Sequence, residues 1–496
     1  MNNADMMAAA ERLRRCAEEL AAIAKSMGAA SRAEVPLEKA KAIEARHGAL
    51  ARQLVEELGN SGIDAKVVDV CEGPTVVRIK IELPPGVKYS QVTDLCDKLQ
   101  YLFHVKSLRI DAPVPGEEYV GIEIPKQEPE EVSFADTVLP EVLPILQSVV
   151  VNKLPVVVGK GVDGKTIVAD LAAMPHLIVG GAPGEGKAQF IHSFLCGLIA
   201  NRSPGDVRFI IADTKCVEYS QYEGLPHLDV PVITDNRKIV FALRWAVTEM
   251  ENRLKMFARA RVRNIEDFNS RSPMTQSDMF GDDGQTGINA SLPKSVSYIV
   301  IVIDDFADAV ETAKDEIVPD VARLTAKARA AGIHLVLVTQ RPDSKVLTET
   351  IKANVPGRIA FKTVSSSDSR LIFDDTGAEH LIGEGDCLFR RKDGIVCRAQ
   401  APEISESEID EIVAEAKANL AAGLWEKIPK CSEDDFKKAI DVVRKTQKAS
   451  VSHFQRKLGY GYNHAAALVD RLEAEGYIGP QMGAGPRKIN WERFSE

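Results

Sequence analysis

Residues 180–190 read GGAPGEGKAQF, and the reading of this stretch decides the fold. Gly181, Ala182, Pro183, Gly184, Glu185, Gly186, Lys187 and Ala188 have the spacing of a phosphate-binding loop: glycine, four residues, glycine, lysine. Glycines let backbone N–H groups turn inward around an anion, and a helix directly after them adds its positive N-terminal pole. The flanks suit this. HLIVGG before the loop reads as a strand, and KAQFIHSFLCGLIA after it reads as a helix. The last position of such a loop takes Ser or Thr, whose hydroxyl ligates Mg²⁺, and here it is Ala188.

Further apolar runs extend the pattern. LPVVVG, HLIVGG, VRFIIAD, SYIVIVID and IHLVLVTQ are short and nearly continuous, as expected of parallel strands covered on both faces. Helical stretches such as 237–258 and 317–331 separate them. The alternation predicts an α/β domain over 137–430, with a polar Gly/Ser/Asp-rich surface insertion at 269–295.

Two strand ends carry polar groups. SYIVIVIDDF ends in Asp304 and Asp305. In nucleotide hydrolases of this kind the first acid supports Mg²⁺ and the second polarises the attacking water. The alternative is a helix N-cap, which Asp also suits. IHLVLVTQRP ends in Thr339 and Gln340, a polar pair able to sense a γ-phosphate. Together these residues call for ATP and Mg²⁺ as cofactors.

The remaining segments differ in character. Residues 1–57 are rich in Ala, Leu, Glu and Arg and predict a solvated or self-associating helical segment. Residues 58–126 alternate β-rich runs with one helical run, a small α+β domain, and 127–136 is a polar linker. Residues 432–496 predict three helices and a Gly/Pro hairpin, the winged-helix layout. In that tail basic residues outnumber acidic ones, eleven to nine, whereas the 496-residue chain carries a net charge of −10. The total argues against a surface basic all over, and leaves room for a narrow basic channel. Eight cysteines show no metal-ligand spacing, no apolar run is long enough to span a bilayer, and no signal peptide is visible. The expectation is a reduced, cytoplasmic chain without a membrane-spanning segment.

The ordered blocks GKTIVADLAAMPHLIVGGAPGEGK, VRFIIADTKCVEYSQYEGLPHL, ALRWAVTEMENRLKMF, IVIVIDDFADAV, KARAAGIHLVLVTQRP and IKANVPGRIAFK resemble the FtsK/SpoIIIE family of double-stranded DNA translocases. GPTVVRIKIELPPGVK resembles the family's α subdomain, and KASVSHFQRKLGYGYNHAAALVDRLEAEGYIGP its γ winged helix. The resemblance implies a RecA-like P-loop core assembled as a hexameric homo-oligomer around duplex DNA, with a γ module that reads guide sequences and can touch a recombinase. It implies Lys187 on the β/γ-phosphates, Asp304 on Mg²⁺, Asp305 at the family's catalytic Glu position and Gln340 as sensor. Arg329 stands where the family supplies an arginine finger to its neighbour. Arg341, Lys352 and Arg370 match pore positions on the DNA backbone. In the tail the helix-turn-helix offers Asn463, His464 and Arg471 to DNA, with Arg456 and Lys457 beside the backbone.

The sequence departs from the family at several points. Ala188 lacks the hydroxyl, and Asp305 is one methylene shorter than Glu. Ser366 replaces a basic residue, with Lys362 close by, and His464 and Ala467 replace two arginines of the recognition helix. The first reading is therefore an ATP-driven DNA pump acting in chromosome segregation. The alternatives are an ATP-binding, DNA-associated assembly protein with little turnover, and a protein-pumping secretion-type ATPase.

Overall fold

The computed structural model describes residues 37–114, 117–138, 154–271, 292–421, 433–446, 448–449 and 451–458, with short pieces of the chain from 468 to 490. The chain divides after Glu130 into two compact units.

In the first unit, four antiparallel strands stand in the order β1 (Lys66–Glu72), β2 (Val76–Glu82), β4 (Val120–Pro125), β3 (Arg109–Asp111). β2 alternates as its sequence dictates. Val77, Ile79 and Ile81 enter the core, while Arg78 and Lys80 face the other way. Arg78 is tied there to buried Glu123, and to Asp111 at 3.0 Å. A helix spans Leu37–Asn60 and buries Leu54 and Leu58 in the same core. The expected helical segment ending at residue 57 is thus corrected for residues 37–60: this helix is part of the α+β body, because its leucines supply one wall of the core. Residues 1–36 of that expectation lie outside the described residues.

The second unit holds a nine-stranded mixed sheet. Its strands are β5 (Pro155–Gly161), β6 (Thr166–Asp170), β7 (Leu177–Gly180), β8 (Val207–Ala212), β9 (Tyr298–Ile303), β10 (Ile333–Thr339), β11 (Gly357–Phe361), β12 (Asp386–Arg390) and β13 (Val396–Gln400). The spatial order is β6-β5-β13-β12-β11-β7-β10-β9-β8. The five strands from β11 to β8 are parallel, and β10 lies between the phosphate-loop strand β7 and the acid strand β9. Two apolar cores cover the sheet, one on each face. The run LPVVVG is a correction: β5 is not parallel but pairs antiparallel with β6 and β13. The turn at Asp163-Gly164 returns the chain beside itself, and Asp-Gly is a strong hairpin dipeptide.

Most of the expected helices are present. One runs Asn236–Arg259, capped by the Asp235 carboxylate on the Arg237 N–H at 2.9 Å. The expected 317–331 helix begins earlier and spans Phe306–Ala331, broken at Ala313. Pro319 lies inside the second half, past its first turn. Of the surface insertion, 272–291 lies outside the described residues, whereas 269–270 end a short helix, Ile265–Ser270. In the tail, helices Glu433–Thr446 and Val451–Leu458 enclose Phe436, Val443, Phe454, Leu468 and Leu472, and Ile478 bridges Ile489 in antiparallel fashion.

Candidate functional site

Five parallel strands deliver their carboxyl ends to one edge of the sheet. Ala360 and Thr339 both pair with Gly180, and Ala212 pairs with Ile303. The residues just past each strand are therefore gathered at that edge: the phosphate loop after β7, Asp213 and Lys215 after β8, Asp304 and Asp305 after β9, Gln340 after β10, and Lys362 after β11. In open α/β sheets this edge is where ligands bind.

The loop has the backbone its glycines were expected to supply. Gly181, Gly184 and Gly186 have φ of 151°, 80° and 101°. A Cβ on Gly186 would lie 2.8 Å from the Gly385 backbone, so position 186 needs glycine for conformation and for space. The loop is held from outside. The Ala182 N–H donates to the Lys362 carbonyl at 2.8 Å, the Gly385 N–H to the Glu185 carbonyl at 3.1 Å, and the Ile404 N–H to the Gln189 side chain at 3.2 Å. Ala188 is half-buried in the first turn of helix Lys187–Ile199.

Lys187 is buried, and its Nζ donates to the Ala182 carbonyl at 2.5 Å. Burial pushes its ammonium down to about 8, against the pull of Asp304 and Glu185. Asp304 is buried too, and burial pushes its carboxyl up to about 6; the Asp305 N–H opposes this and the Asp213 charge reinforces it. A desolvated cation and a desolvated carboxylate at one loop form a site that gains when a phosphate reaches the first and a cation the second. Asp305 is the N-cap of the Phe306–Ala331 helix, as its alternative reading had it, but without a capping bond from its side chain. Its φ of 51° is left-handed, and its carboxylate meets Lys215 Nζ at 2.7 Å. Gln340 is half-buried just past β10. Thr339 turns inward, its Oγ1 accepting from the Arg341 N–H at 3.3 Å.

The other expected residues scatter. Arg329 is exposed in the last turn before β10, and β10 carries the chain from there to the phosphate edge. Seven strand residues separate the two ends, about 20 Å, so Arg329 is at the opposite sheet edge from its own loop. Arg341 and Arg370 are exposed. Lys352 is not: it is buried between Glu349 at 2.8 Å and Asp374 at 3.0 Å. Lys457 is exposed. Arg471 stacks on Phe436, 4.1 Å from the ring centre, and pairs with Glu475 at 2.7 Å, so its guanidinium is committed within the tail. Asn463, His464 and the Arg456 side chain lie outside the described residues.

Sequence reasoning missed Asp213 and Lys215. Both come directly after VRFIIA, and a polar run at the carboxyl end of a parallel strand was the available signal.

A P-loop strand and an acid strand separated by one further strand define a P-loop NTPase with a RecA-like core, here joined to an α+β domain and a winged helix. The sequence model described as the FtsK/SpoIIIE family matches residues 148–344, that of the FtsK alpha domain 33–126 and that of the Ftsk gamma domain 431–492. The chain belongs to the FtsK/SpoIIIE family. It is 39% identical over 470 residues to the DNA translocase FtsK of Agrobacterium fabrum, across 88% of this chain and 52% of that protein. With the DNA translocase FtsK of Clostridium acetobutylicum it shares 37% identity, across 88% of this chain and 57% of the relative. The chain thus spans about half the length of the curated relatives it matches. A solved structure of the pCW3 conjugation coupling protein TcpA, with ATPγS, aligns with a TM-score of 0.48 and 21% identity over 75% of this chain and 99% of that one. No helix among the described residues is long and apolar enough to cross a membrane.

Proposed function

We propose that this chain carries the motor of an ATP-driven double-stranded DNA translocase, working in the cytoplasm as a hexameric ring and serving chromosome segregation. The observation that carries the reading is the convergence of Lys187, Asp304, Asp305 and Gln340 at the carboxyl edge of the parallel strands, within a chain of this family. In this reading Lys187 leaves the Ala182 carbonyl for the β- and γ-phosphates of ATP, Gln340 orients water, and Asp305 accepts its proton. Asp304 suits Mg²⁺, as a buried carboxylate with no ion pair among the described residues, while Ala188 offers the metal no oxygen. Bound there, Mg²⁺ would neutralise charge on the phosphates. Arg329, remote from its own loop, acts on a neighbour's nucleotide. Arg341 and Arg370 touch the DNA backbone, and Lys352 joins them only if it leaves Asp374. The winged helix reads guide sequence or docks a recombinase.

The test is ATP hydrolysis with and without long duplex DNA. Wild-type protein should be stimulated by DNA and Lys187→Ala should be inactive. If the two are equal, the motor reading fails. A second reading, an ATP-binding assembly protein with little turnover, is favoured by Ala188 and by the Lys215 ion pair on Asp305. It predicts nucleotide binding without stimulation.

A further inference from the structure

The turn after β8 carries a cation that has no task in phosphate binding, metal binding or DNA contact as assigned to the other residues. Lys215 Nζ lies 2.7 Å from the Asp305 carboxylate. Its backbone is fixed. The buried Asp213 carboxylate accepts the N–H groups of Lys215, Val217, Glu218 and Tyr219 at 3.0–3.2 Å, and the Asp213 N–H is bound to the Ile233 carbonyl. Its side chain is open to water, 45% exposed, whereas that of Asp305 is 14% exposed. A turn held by four N–H bonds thus presents a solvent-accessible ammonium to the carboxylate expected to take a proton from water.

We infer that Lys215 is a positioning residue that occupies the Asp305 carboxylate in the resting site and releases it when a γ-phosphate competes for its ammonium. The inference rests on the proposed nucleotide site. An ammonium on a carboxylate occupies lone pairs that a proton from water would need, so Asp305 is not open to that proton while paired. A γ-phosphate at the loop offers the ammonium more negative charge than one carboxylate does. Lys215 is near enough to that loop for its charge to act on Lys187. A lysine–carboxylate pair whose ammonium is open to water is screened and weakened, which makes the hold releasable. No bond is made or broken; the ammonium exchanges one anion for another.

The experiment measures steady-state ATP hydrolysis without DNA for wild type, Lys215→Met and Lys215→Arg, and repeats Lys215→Met in an Asp305→Asn background. With ATP bound but no DNA the exchange is partial, so Lys215→Met should raise kcat by up to about five-fold, the strength of a water-screened pair expressed as a rate factor. KM for ATP should stay near wild type and stimulation by DNA should shrink. Lys215→Arg, which reaches the same carboxylate, should restore the low rate, and in Asp305→Asn the Met change should do nothing. A fall in kcat with a raised KM would make Lys215 a phosphate ligand only, and an unchanged rate would leave the pair without a role; either overturns the inference. A second measurement does not need turnover. The ¹³C-methylated Lys215 amine should titrate above ordinary lysine, as its bond to Asp305 raises it, return toward normal in Asp305→Asn, and respond to ATPγS in wild type but not in Lys187→Ala. A Lys215 signal indifferent to both Asp305 and ATPγS overturns the exchange. If wild type hydrolyses no more ATP than Lys187→Ala, the motor reading falls and this titration alone decides the exchange.

Discussion

Lys187 should cost the nucleotide-free protein stability, and Lys187→Met should therefore melt higher than wild type. Burial lowers the Lys187 ammonium from 10.5 to about 8. At roughly 1.4 kcal/mol per pKa unit this is about 3 kcal/mol spent keeping the charge in the folded state at pH 7. Methionine keeps most of the aliphatic stem and loses the bond to the Ala182 carbonyl, worth about 1 kcal/mol net. The difference is about 2 kcal/mol in favour of the variant, or a rise of very roughly 4 °C in Tm for a large domain. Asp304 trims this, since its carboxyl, already near 6, loses a nearby cation.

The sign has a pH signature. The unfolded lysine binds its proton more tightly than the folded one, so wild-type stability rises between about pH 8 and 10.5. The advantage of Lys187→Met is complete below about pH 8 and fades above it. Nucleotide inverts the order: at 100-fold over Kd it stabilises wild type by about 2.7 kcal/mol and should leave the variant unmoved. Scanning calorimetry at pH 7 and pH 10, with and without ATPγS, checks all of this. If nucleotide-free Lys187→Met melts below wild type at pH 7, Lys187 is a net stabiliser and the desolvation argument is wrong.

Ala188→Ser should raise kcat several-fold by restoring a metal ligand, and a lowered rate would show a site rebuilt around alanine. Arg329→Ala should bind ATP yet lose hydrolysis, and mixing it with Lys187→Ala subunits should recover part of the rate; no recovery at any ratio would refute a role in trans. In the tail, Lys457→Ala should weaken binding to every duplex alike and lower the salt slope by about one. Arg471→Ala should instead loosen the tail's own packing, seen as an earlier local melting transition, with little change in the salt slope.

The strands and the phosphate loop were legible because each is a local pattern. An apolar run, a glycine spacing and a pair of acids need no partner to be recognised. LPVVVG was misplaced because apolarity reports burial and not direction, and the Asp163-Gly164 turn that decides direction lies outside the run. The charged residues were the harder case, since what a cation does depends on what stands beside it. Lys352 and Arg471 matched positions expected to meet DNA, yet Asp374, 22 residues from one, and Phe436, 35 residues from the other, hold them inside the protein. Lys215 is the converse. Nothing in ADTKC names a partner, and only the pairing of Ala212 with Ile303 brings its turn beside Asp305, ninety residues later. Strand order thus decides which polar residues share an edge, and the side chains sharing this one include a lysine placed to govern the acid on which hydrolysis would depend.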